Sequence, residues 1–483
     1  MPASTLKKIV IAGGVRIPFC RSNTLYADQT NQDMLAAAIQ GLVDQYGLAG
    51  KKIDQVLAGA VTTHAKDWNL AREAVLSTTL SPLSPAVTMQ QACGTSLQGA
   101  LLAGSQIASG DIDCAIVAGT DTTSDAPVVF QRRFAQRLIK LSKARSVSDK
   151  LKVFKGFSFS ELTPQPPRNA EPRTGLSMGQ HCERMAREWQ IDRAAQDELT
   201  VESHRKASEA WEAGFFDDLV IPHNGVVRDN IIRPDTSIEK LTSLKPVFDK
   251  KQGTLTAGNS TTLSDGAAAV LICSEDWAKA NDVPIRAYLS AGRAAAVDFV
   301  DGDEGLLMAP TVAVAEMLTR SGLGLQDFDF YEIHEAFAAQ VLCTLKAWES
   351  DRYCRERLGL DGALGSIDRA KMNVRGGSVA VGHPFAATGA RILSTLTAIL
   401  EQAGSGRGLI SVCTAGGMGV AAIVERPGTG ATPGKQKTAS AGSEKKSVEP
   451  AMPKKKKKKK SAGKKRSQKA ATDAITTDDQ REE

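Results

Sequence analysis

The sequence predicts an α/β protein in which a mostly parallel sheet is covered by helices on both faces. Short apolar segments typical of strands alternate with amphipathic segments typical of helices. A unit of helix start, helix and strand occurs once in each half of the chain, and a stretch of different composition interrupts the first half. With 483 residues the chain is long enough for about two to three units of this kind.

The first half begins with an apolar strand, and helices alternate with strands from there. In residues 33–46 the apolar positions recur at helical spacing, and Gly47 ends that helix. The predicted elements are strands at 7–12, 55–61 and 113–120 and helices at 33–46 and 69–76.

Cys93 lies at the turn between a short apolar lead-in and an Ala- and Leu-rich helix that runs to about Ala108. Unpaired N–H groups and the helix dipole stabilise an anion at such a position, and a helix start lowers the pKa of a thiol. Cys93 is therefore a candidate nucleophile. The alternative is a structural thiol, because unpaired cysteine is among the residue types most often buried.

Residues 121–246 form an inserted, mainly helical region. Its first part, 132–155, is rich in Lys and Arg with interleaved Leu, Ile and Phe, which is typical of a basic amphipathic segment. Helices are predicted near 178–189 and 192–213. The strand pattern returns at about residue 254.

The second half repeats the order of the first, because Gly382-His-Pro opens a helix and a glycine-rich turn leads to an apolar strand at 409–414. This weak duplication predicts two similar domains whose helix starts face one cleft. The predicted divisions are a first half at 1–120 completed by 247–275, an inserted region at 121–246, a second half at 276–427 and a disordered tail at 428–483.

Three further reactive side chains lie where strands end. His334 follows an apolar strand, His383 stands in a glycine-rich turn before a helix, and Cys413 precedes a glycine turn. In α/β folds such strand ends build binding sites. His383 could take the proton of the Cys93 thiol, a second thiol could move a proton elsewhere, and imidazole and backbone N–H groups could hold an oxyanion. This set predicts acyl transfer through a thioester-linked enzyme.

Four motifs in this order and spacing resemble the signature of the thiolase family across about residues 5–427. They are Gln91-Ala-Cys-Gly-Thr, His334-Glu-Ala-Phe, Gly382-His-Pro and Cys413-Thr-Ala-Gly-Gly-Met-Gly. The resemblance implies two similar βαβαβαββ halves in a five-layer αβαβα core with an inserted helical loop domain. It also implies acyl-CoA and free coenzyme A as substrates, with no tightly bound cofactor and no metal.

The resemblance implies a role for each reactive group. Cys93 would take the acyl group, His383 would activate it, and Cys413 would be the acid and base for the α-carbon of the substrate. His334 and His383 would bind the thioester oxygen in one oxyanion hole.

The backbone N–H groups of Cys93 and Ala415 would form the other oxyanion hole. Met178 and Thr261 align with family positions that touch the pantetheine of coenzyme A. We expect no role for the remaining histidines, which stand in charged, surface-like contexts. These are His64, His181, His204 and His223.

The subclass is indicated by departures from the common pattern. Many thiolases have Asn at the position of His334, and the His form resembles the β-subunit of the trifunctional enzyme of fatty-acid oxidation. So does the long segment 132–172, which in those relatives faces the membrane or the partner subunit. Acetoacetyl-CoA thiolases usually carry His-Met-Gly where this chain has Ser177-Met-Gly. We therefore expect a 3-ketoacyl-CoA thiolase of β-oxidation.

Three alternatives stay open at this point. A biosynthetic acetyl-CoA C-acetyltransferase would differ in chain-length preference. A decarboxylating ketoacyl synthase shares the fold but lacks a counterpart of Cys413. A protein of another class, a scaffold, would bind nucleic acid or membrane through its basic tail.

Composition sets the remaining expectations. Sixteen of the 60 basic residues but only seven of the 54 acidic ones follow Pro427, so the net charge of +6 belongs to the tail with its seven consecutive lysines. The eight cysteines form no C-x-x-C pair, which favours a reducing, cytoplasmic compartment. No apolar run is long enough to span a membrane, and no signal peptide is predicted. By resemblance we expect a homodimer or dimer of dimers, and a complex with a hydratase/dehydrogenase α-subunit.

Overall fold

The computed structural model describes residues 6–428 of the chain. Except for Gly428, the predicted lysine-rich tail at 428–483 lies outside the described residues. Within residues 6–428 the chain forms ten strands and fourteen helices, together with four short 3₁₀ turns. The 3₁₀ turns are Ala65–Asp67, Phe159–Leu162, Arg369–Lys371 and Phe385–Ala387.

The first half alternates strands and helices as its sequence predicts. Helix α1 begins at a capping box, in which the side chains of Thr30 and Asp33 each accept a hydrogen bond from the other's backbone N–H. The elements are β1 (Ile9–Arg16), β2 (Cys20–Arg21), α1 (Asn31–Gln45), β3 (Gln55–Gly59), α2 (Leu70–Leu76), β4 (Ala86–Thr88), α3 (Thr95–Ser109) and β5 (Cys114–Asp121).

The region between β5 and the next strand is helical. Ser177 caps α6 by accepting from the backbone N–H of Gln180. The helices are α4 (Arg132–Lys143), α5 (Val147–Val153), α6 (Met178–Glu188), α7 (Arg193–Glu212) and α8 (Ile238–Thr242). Strand β6 (Ser264–Ser274) and helix α9 (Glu275–Ala280) then return the chain to the first half.

The second half repeats the pattern of the first. Pro310 occupies the first turn of α10, where its missing N–H costs no hydrogen bond. The elements are β7 (Ala287–Ala296), α10 (Ala309–Ser321), β8 (Phe330–Ile333), α11 (Ala338–Glu349), α12 (Asp351–Glu356), α13 (Ser378–Val381), α14 (Thr388–Ala403), β9 (Gly406–Thr414) and β10 (Met418–Arg426).

The sheet is mixed, so the prediction of a mostly parallel sheet is wrong. The strand order is β4-β3-β5-β6-β1-β7-β10-β9-β8, with β2 beside β6. Only the pairs β3–β4, β3–β5 and β8–β9 are parallel, and the other pairs are antiparallel. The reason is visible at β9 and β10. A short turn joins these two strands, and a turn of that length permits only antiparallel pairing.

The predicted duplication is confirmed by the topology. The first half has the order β4-β3-β5-β6-β1. The third of these strands along the chain, β4, lies at the edge of the sheet, and the first, β1, lies beside the last, β6. The second half has β8-β9-β10-β7, and its third strand is reduced to one parallel bridge from Tyr331 to Met372. Each half therefore follows the βαβαβαββ order.

Alternate residues of each strand face two different helix layers. In β5, Ile116 and Ala118 pack with α1 and α2, whereas Ala115 and Val117 pack with α3 and α14. Strands of the second half share the α3/α14 core on one face and contact α10 and α11 on the other. The result is the five-layer αβαβα core with α3 and α14 in the middle.

None of the helices in the described part of the chain is both long and apolar enough to cross a bilayer.

Candidate active site

Cys93 lies at a strained turn that leads into α3. Ala92, directly before it, has φ of +46°, a region that residues other than glycine seldom occupy. The hydroxyl of Thr95 holds this turn by accepting from the N–H of Gln91 at 2.8 Å and donating to the carbonyl of Ala92 at 2.7 Å. Gly94 is the N-cap of α3. The thiol therefore stands at the helix start, where the sequence predicts it.

His383 is the hydrogen-bond partner of the Cys93 thiol. Its Nε2 lies 3.1 Å from the Cys93 Sγ, and its Nδ1 lies 2.6 Å from the Thr388 hydroxyl. The backbone N–H of His383 donates to the Ser264 hydroxyl at 3.1 Å. When Nδ1 carries the proton and donates it to Thr388, Nε2 is free to accept the proton of the thiol.

The starts of α3 and α14 are tied together, which explains how residues 290 positions apart meet. Ser96 donates to the carbonyl of Ala386 at 2.5 Å and accepts from the N–H of Ala390 at 2.8 Å. Gly389 permits the close approach, because a Cβ there would lie only 2.4 Å from the backbone nitrogen of Leu97. The central helix layer thus positions Cys93 against His383.

His334 lies directly after β8, with its ring next to that of His383. The ring centroids are 4.2 Å apart. The Nδ1 of His334 lies 2.8 Å from the Ser378 hydroxyl, and its backbone N–H donates to the carbonyl of Ser411. The Nε2 is buried and has no hydrogen-bond partner among the described residues. Such an orphaned polar atom is costly unless a ligand satisfies it.

Cys413 and Ala415 come from the end of β9 and the turn after it. Cys413 is buried, and burial raises its pKa well above the ordinary value of a thiol. The side chain of its neighbour Thr414 lies against Gly94, the residue after Cys93. The backbone N–H groups of Ala415 and of Cys93 itself lie close enough to the Cys93 sulfur to lower its pKa. Glu171 of the inserted region holds the turn by accepting from the N–H of Gly416 at 2.9 Å.

Burial dominates the electrostatics of the Cys93 and His383 pair. It raises the pKa of Cys93 to about 12, although the two backbone N–H donors oppose the shift. It lowers the pKa of His383 to about 3. The helix start on its own favours a lower pKa for this thiol, whereas burial raises the pKa by more than the two backbone N–H groups lower it. At pH 7 the resting pair is a neutral thiol and a neutral imidazole.

This protonation state has a direct spectroscopic consequence. We expect the ultraviolet difference spectrum of wild type minus Cys93→Ser to show no thiolate band between about pH 6 and pH 9. The sign follows from both shifts, since pH 7 lies below the raised pKa of the thiol and above the lowered pKa of the imidazole. The other seven cysteines cancel in the difference. A thiolate band already present at pH 7 would contradict this expectation.

Met178 and Thr261 lie at two borders of the site. Met178 begins α6 and packs against the apolar cluster that contains Cys413. The N–H of Thr261 donates to the carbonyl of Ala336 at 3.1 Å. Thr261 stands between two residues, Ser260 and Thr262, that line a cavity of about 260 Å³.

Three cationic side chains and one carboxylate line this cavity. They are Arg21, Arg233, Lys240 and Asp235, and Lys240 forms an ion pair with Asp235. Val379, the neighbour of Ser378, is also part of the lining. His204 also lines it, so the expectation that this histidine lies on a charged surface is wrong.

His204 and His181 are both buried, whereas their sequence context resembles a surface. His204 accepts from the N–H of Arg233 at 3.2 Å, and burial lowers its pKa to about 4. His181 lies 2.8 Å from the Thr174 hydroxyl, and burial lowers its pKa as well. Helical spacing alone did not separate these inward positions from the exposed ones on α6 and α7.

The sequence reasoning also missed the residues that orient the reactive groups. These are Ser96, Glu171, Ser264, Ser378, Thr388 and Arg391. Some of these residues could have been found from the sequence because they stand close to a motif. Ser378 comes shortly before Gly382-His-Pro, and Thr388 comes shortly after it. Their hydrogen bonds, by contrast, depend on tertiary structure.

Cys93, His334 and His383 are also the one set of metal-type donors that comes together in the described part of the chain. Their sulfur and nitrogen atoms lie within 4.8 Å of one another. The same three groups are those that acyl transfer needs, and the Nε2 of His383 lies 3.1 Å from the thiol sulfur. The expectation of no metal in this site stays a prediction.

Comparison with known proteins agrees with this geometry. The family profile "Thiolase, N-terminal domain" matches residues 9–276, and "Thiolase, C-terminal domain" matches residues 284–426. The chain belongs to the thiolase family. The predicted family and enzyme class, an acyltransferase, are thereby confirmed.

Relatives of this thiolase include the 3-ketoacyl-CoA thiolases of Yersinia pestis (strain Pestoides F) and Yersinia pseudotuberculosis serotype O:3 (strain YPIII). Each is 40% identical over 424 residues, which are 86% of this chain and 97% of the relative. The acetyl-CoA acetyltransferase of Bacillus anthracis has a similar structure, with a TM-score of 0.72 and 29% identity. That match covers 88% of this chain and 100% of the other.

Proposed function

We propose that this thiolase is a 3-ketoacyl-CoA thiolase of fatty-acid β-oxidation. It would cleave a 3-ketoacyl-CoA with free coenzyme A into acetyl-CoA and a shortened acyl-CoA. The observation that carries the proposal is the buried Cys93 Sγ at 3.1 Å from the Nε2 of His383, next to the unpartnered Nε2 of His334. The 40% identity to 3-ketoacyl-CoA thiolases supports the same substrate class.

In the first half-reaction, Cys93 attacks the 3-keto carbon while its proton passes to the Nε2 of His383. The N–H groups of Cys93 and Ala415 lie beside the sulfur and would hold the resulting oxyanion. Collapse of this intermediate breaks the bond between C2 and C3. The electron pair stays on C2 as the enolate of acetyl-CoA, whose thioester oxygen accepts from His334. The Cys413 thiol then protonates C2, and acetyl-CoA leaves.

In the second half-reaction, the Cys413 thiolate takes the proton of coenzyme A. The new coenzyme A thiolate attacks the acyl-Cys93 thioester, and the same two backbone N–H groups hold the oxyanion. The Cys93 sulfur leaves and recovers its proton from His383. All three proton carriers return to their starting state, so no oxidant, reductant or resident cofactor is needed.

Coenzyme A carries phosphate groups, and we propose that they bind at the arginines that line the 260 Å³ cavity. Arg21 and Arg233 supply guanidinium groups, which suit phosphate oxygens, whereas Lys240 is paired with Asp235. Pantetheine would then pass Thr261 and Met178 on the way to Cys93. No tightly bound cofactor is proposed.

The alternative is a biosynthetic acetyl-CoA C-acetyltransferase, the activity named for the similar structure from Bacillus anthracis. In this chain Ser177 replaces the histidine usual in acetoacetyl-CoA thiolases, and its side chain is used as the cap of α6. It thus offers no imidazole to a short substrate, which favours the degradative function.

A chain-length series of kcat/KM in the thiolytic direction tests this choice. We expect cleavage of acetoacetyl-CoA and of medium- and long-chain 3-ketoacyl-CoA, with kcat/KM that does not fall as the chain lengthens. Turnover confined to acetoacetyl-CoA would support the acetyltransferase instead. The Cys93→Ser protein serves as the blank for each substrate.

We further propose that the surface of α4 and its neighbours docks a hydratase/dehydrogenase α-subunit. No residue of α4 is buried, although one side of this basic helix is apolar. Phe130, Leu151 and Phe159 nearby are 54%, 70% and 83% exposed. Such a patch is typical of an interaction site. Membrane contact through this surface is the alternative, and tail contacts with membrane or nucleic acid stay a prediction.

We also propose a cytoplasmic homodimer or dimer of dimers. Strand β4 is an open edge of the sheet, and its Val87 is 45% exposed beside Leu83 at 74%. An open apolar edge favours pairing with a second copy. All eight cysteines are free and buried, which supports a reducing compartment.

A further inference from the structure

We propose that Arg391, acting through Ser378, is a positioning residue that fixes the tautomer of His334. In this arrangement the proton of the neutral imidazole lies on Nε2 and points into the site as a donor to the enolate oxygen of the substrate thioester. The inference rests on the proposed thiolase reaction for its catalytic consequence, but the tautomer itself does not depend on any substrate.

The direction of two hydrogen bonds carries the argument. The Nη2 of Arg391 lies 2.6 Å from the Ser378 hydroxyl, and that hydroxyl lies 2.8 Å from the Nδ1 of His334. A guanidinium can only donate, so Ser378 is the acceptor in the first bond. A hydroxyl can accept two hydrogen bonds, but among the described residues the Ser378 hydrogen has no acceptor other than Nδ1 of His334. Donation to Nδ1 is the arrangement that satisfies this buried hydrogen, and it places the ring proton of His334 on Nε2.

The tautomer determines whether Nε2 of His334 is a donor only when the imidazole is neutral. The surroundings of His334 keep its imidazole neutral. The imidazole is buried, and it is faced by the Arg391 cation and by the ring of His383. Burial and these neighbours lower the pKa of His334 well below its ordinary value. Of the two ring nitrogens of His334, Nε2 is the one without a hydrogen-bond partner among the described residues, as expected of a donor that meets its acceptor only when substrate binds.

Arg391 is held in place although burying a cation is costly. Only 3% of the residue is exposed, and its Nη1 lies 3.9 Å from the carboxylate of Glu332. Among the described residues, the bond to Ser378 is the one hydrogen bond that the guanidinium makes. Glu332 stands two residues before His334 in β8, so the strand that presents the histidine also carries the carboxyl group that lies next to the positioning residue. Burial raises the pKa of this carboxyl to about 8.

The competing explanation is that Arg391 only neutralises buried carboxylates. Glu332 and Glu335 both affect the pKa of Arg391, so that explanation has physical support. Glu335, however, already accepts from Ser203, Asn373 and the backbone N–H of Val379. If Arg391 only neutralises carboxylates, the hydroxyl of Ser378 should not affect the tautomer of His334. If Arg391 is a positioning residue, Ser378 links its guanidinium to the imidazole of His334.

The experiment compares Ser378→Ala with Ser394→Ala. Ser394 is also buried, lies on α14, and donates only to the carbonyl of Ala390, so it controls for the loss of a buried hydroxyl. For Ser378→Ala we expect kcat of thiolysis to fall about 10- to 100-fold, while KM for coenzyme A changes less than about twofold. Acetylation of Cys93 by acetyl-CoA, followed by intact mass, should keep its rate, because its oxyanion uses the backbone N–H groups.

The second measurement reads the tautomer directly. The chain has six histidines, so nitrogen-15 labelling of histidine gives a spectrum simple enough to assign with His334→Asn. In wild type we expect the proton of His334 on Nε2, and in Ser378→Ala a shift toward Nδ1. A wild-type proton on Nδ1 would overturn the proposal. So would a Ser378→Ala protein with the kcat of Ser394→Ala and an unchanged tautomer.

These two readouts separate this proposal from the proposed function. If wild type cleaves no 3-ketoacyl-CoA, the function is wrong, while the nitrogen-15 spectrum still decides the tautomer. If wild type is active and the ring proton of His334 lies on Nδ1, the proposed function is supported and the proposed role of Arg391 is wrong.

Discussion

Replacing Cys93 by serine is expected to lower kcat for thiolysis by at least about 10³-fold. The fold should survive, because the Cys93 side chain sits at the edge of the α3/α14 core and serine differs by one atom. The loss would be in the chemical step rather than in binding. Steady-state thiolysis of a 3-ketoacyl-CoA, followed at the absorbance of the substrate, measures it.

The size of this effect follows from the environment of His383. A serine hydroxyl is a weaker acid than a thiol and needs a stronger base to become a nucleophile. Burial lowers the pKa of His383 to about 3, and its Nδ1 faces the neutral hydroxyl of Thr388 rather than a carboxylate. Among the described residues no carboxylate accepts a hydrogen bond from this imidazole, so the imidazolium that serine activation would require is not stabilised by one.

Cys354→Ser is the matched control for this substitution. Its Sγ is buried and lies 3.5 Å from the carbonyl oxygens of Ala347 and Trp348, which a hydroxyl can also reach. We expect kcat of this protein to stay near the wild-type value. A Cys93→Ser protein that keeps more than about a tenth of the wild-type kcat would show that Cys93 is not the nucleophile.

The sequence predicted the parts of the site that local pattern determines. Cys93, His334, His383 and Cys413 each stand at a strand end or helix start, and the structure brings these elements to one place. The roles of these residues stay predictions until the variants are measured. The local pattern could not predict the direction in which strands pair. A segment has the same sequence pattern of a strand whether it pairs parallel or antiparallel with its neighbour.

The protonation state of Cys93 could not be predicted from sequence for a related reason. The helix start is visible in the residues after Cys93, and on its own it favours a thiolate. Desolvation comes from burial of the thiol in the folded chain, which the residues around Cys93 do not determine, and it has the larger effect. Where a local effect and a tertiary effect on a pKa oppose each other, the sequence predicts the direction of the local effect only.

Removing the thiol of Cys413 is expected to have the second large effect. For Cys413→Ala we expect kcat of thiolysis to fall about 10²- to 10⁴-fold, the range for loss of a general acid and base. The physical reason is that the enolate carbon and the coenzyme A thiol would both lose their proton carrier. The free energy of unfolding should fall only modestly, since alanine keeps the apolar contacts of Cβ.

The two cysteine variants should then differ in which step they block. Cys93→Ser cannot form a thioester with acetyl-CoA, whereas Cys413→Ala keeps Cys93, His383 and both backbone N–H donors. Incubation with acetyl-CoA should therefore add one acetyl group to Cys413→Ala and none to Cys93→Ser, as read by intact mass. Acyl-enzyme formation in Cys413→Ala should be slowed less than bond formation or cleavage at the α-carbon.

Cys182→Ala is the control that separates this chemistry from packing. Cys182 lies in the same buried apolar cluster as Cys413. Each substitution removes one sulfur from that cluster, so the cavity cost should be similar, whereas only Cys413 lies at the end of β9, next to the Ala415 turn. If Cys182→Ala lowers kcat as much as Cys413→Ala does, the effect is packing. If only Cys413→Ala does so while still accepting acetyl, the second thiol is the proton carrier, and the two half-reactions share one site with two distinct sulfurs.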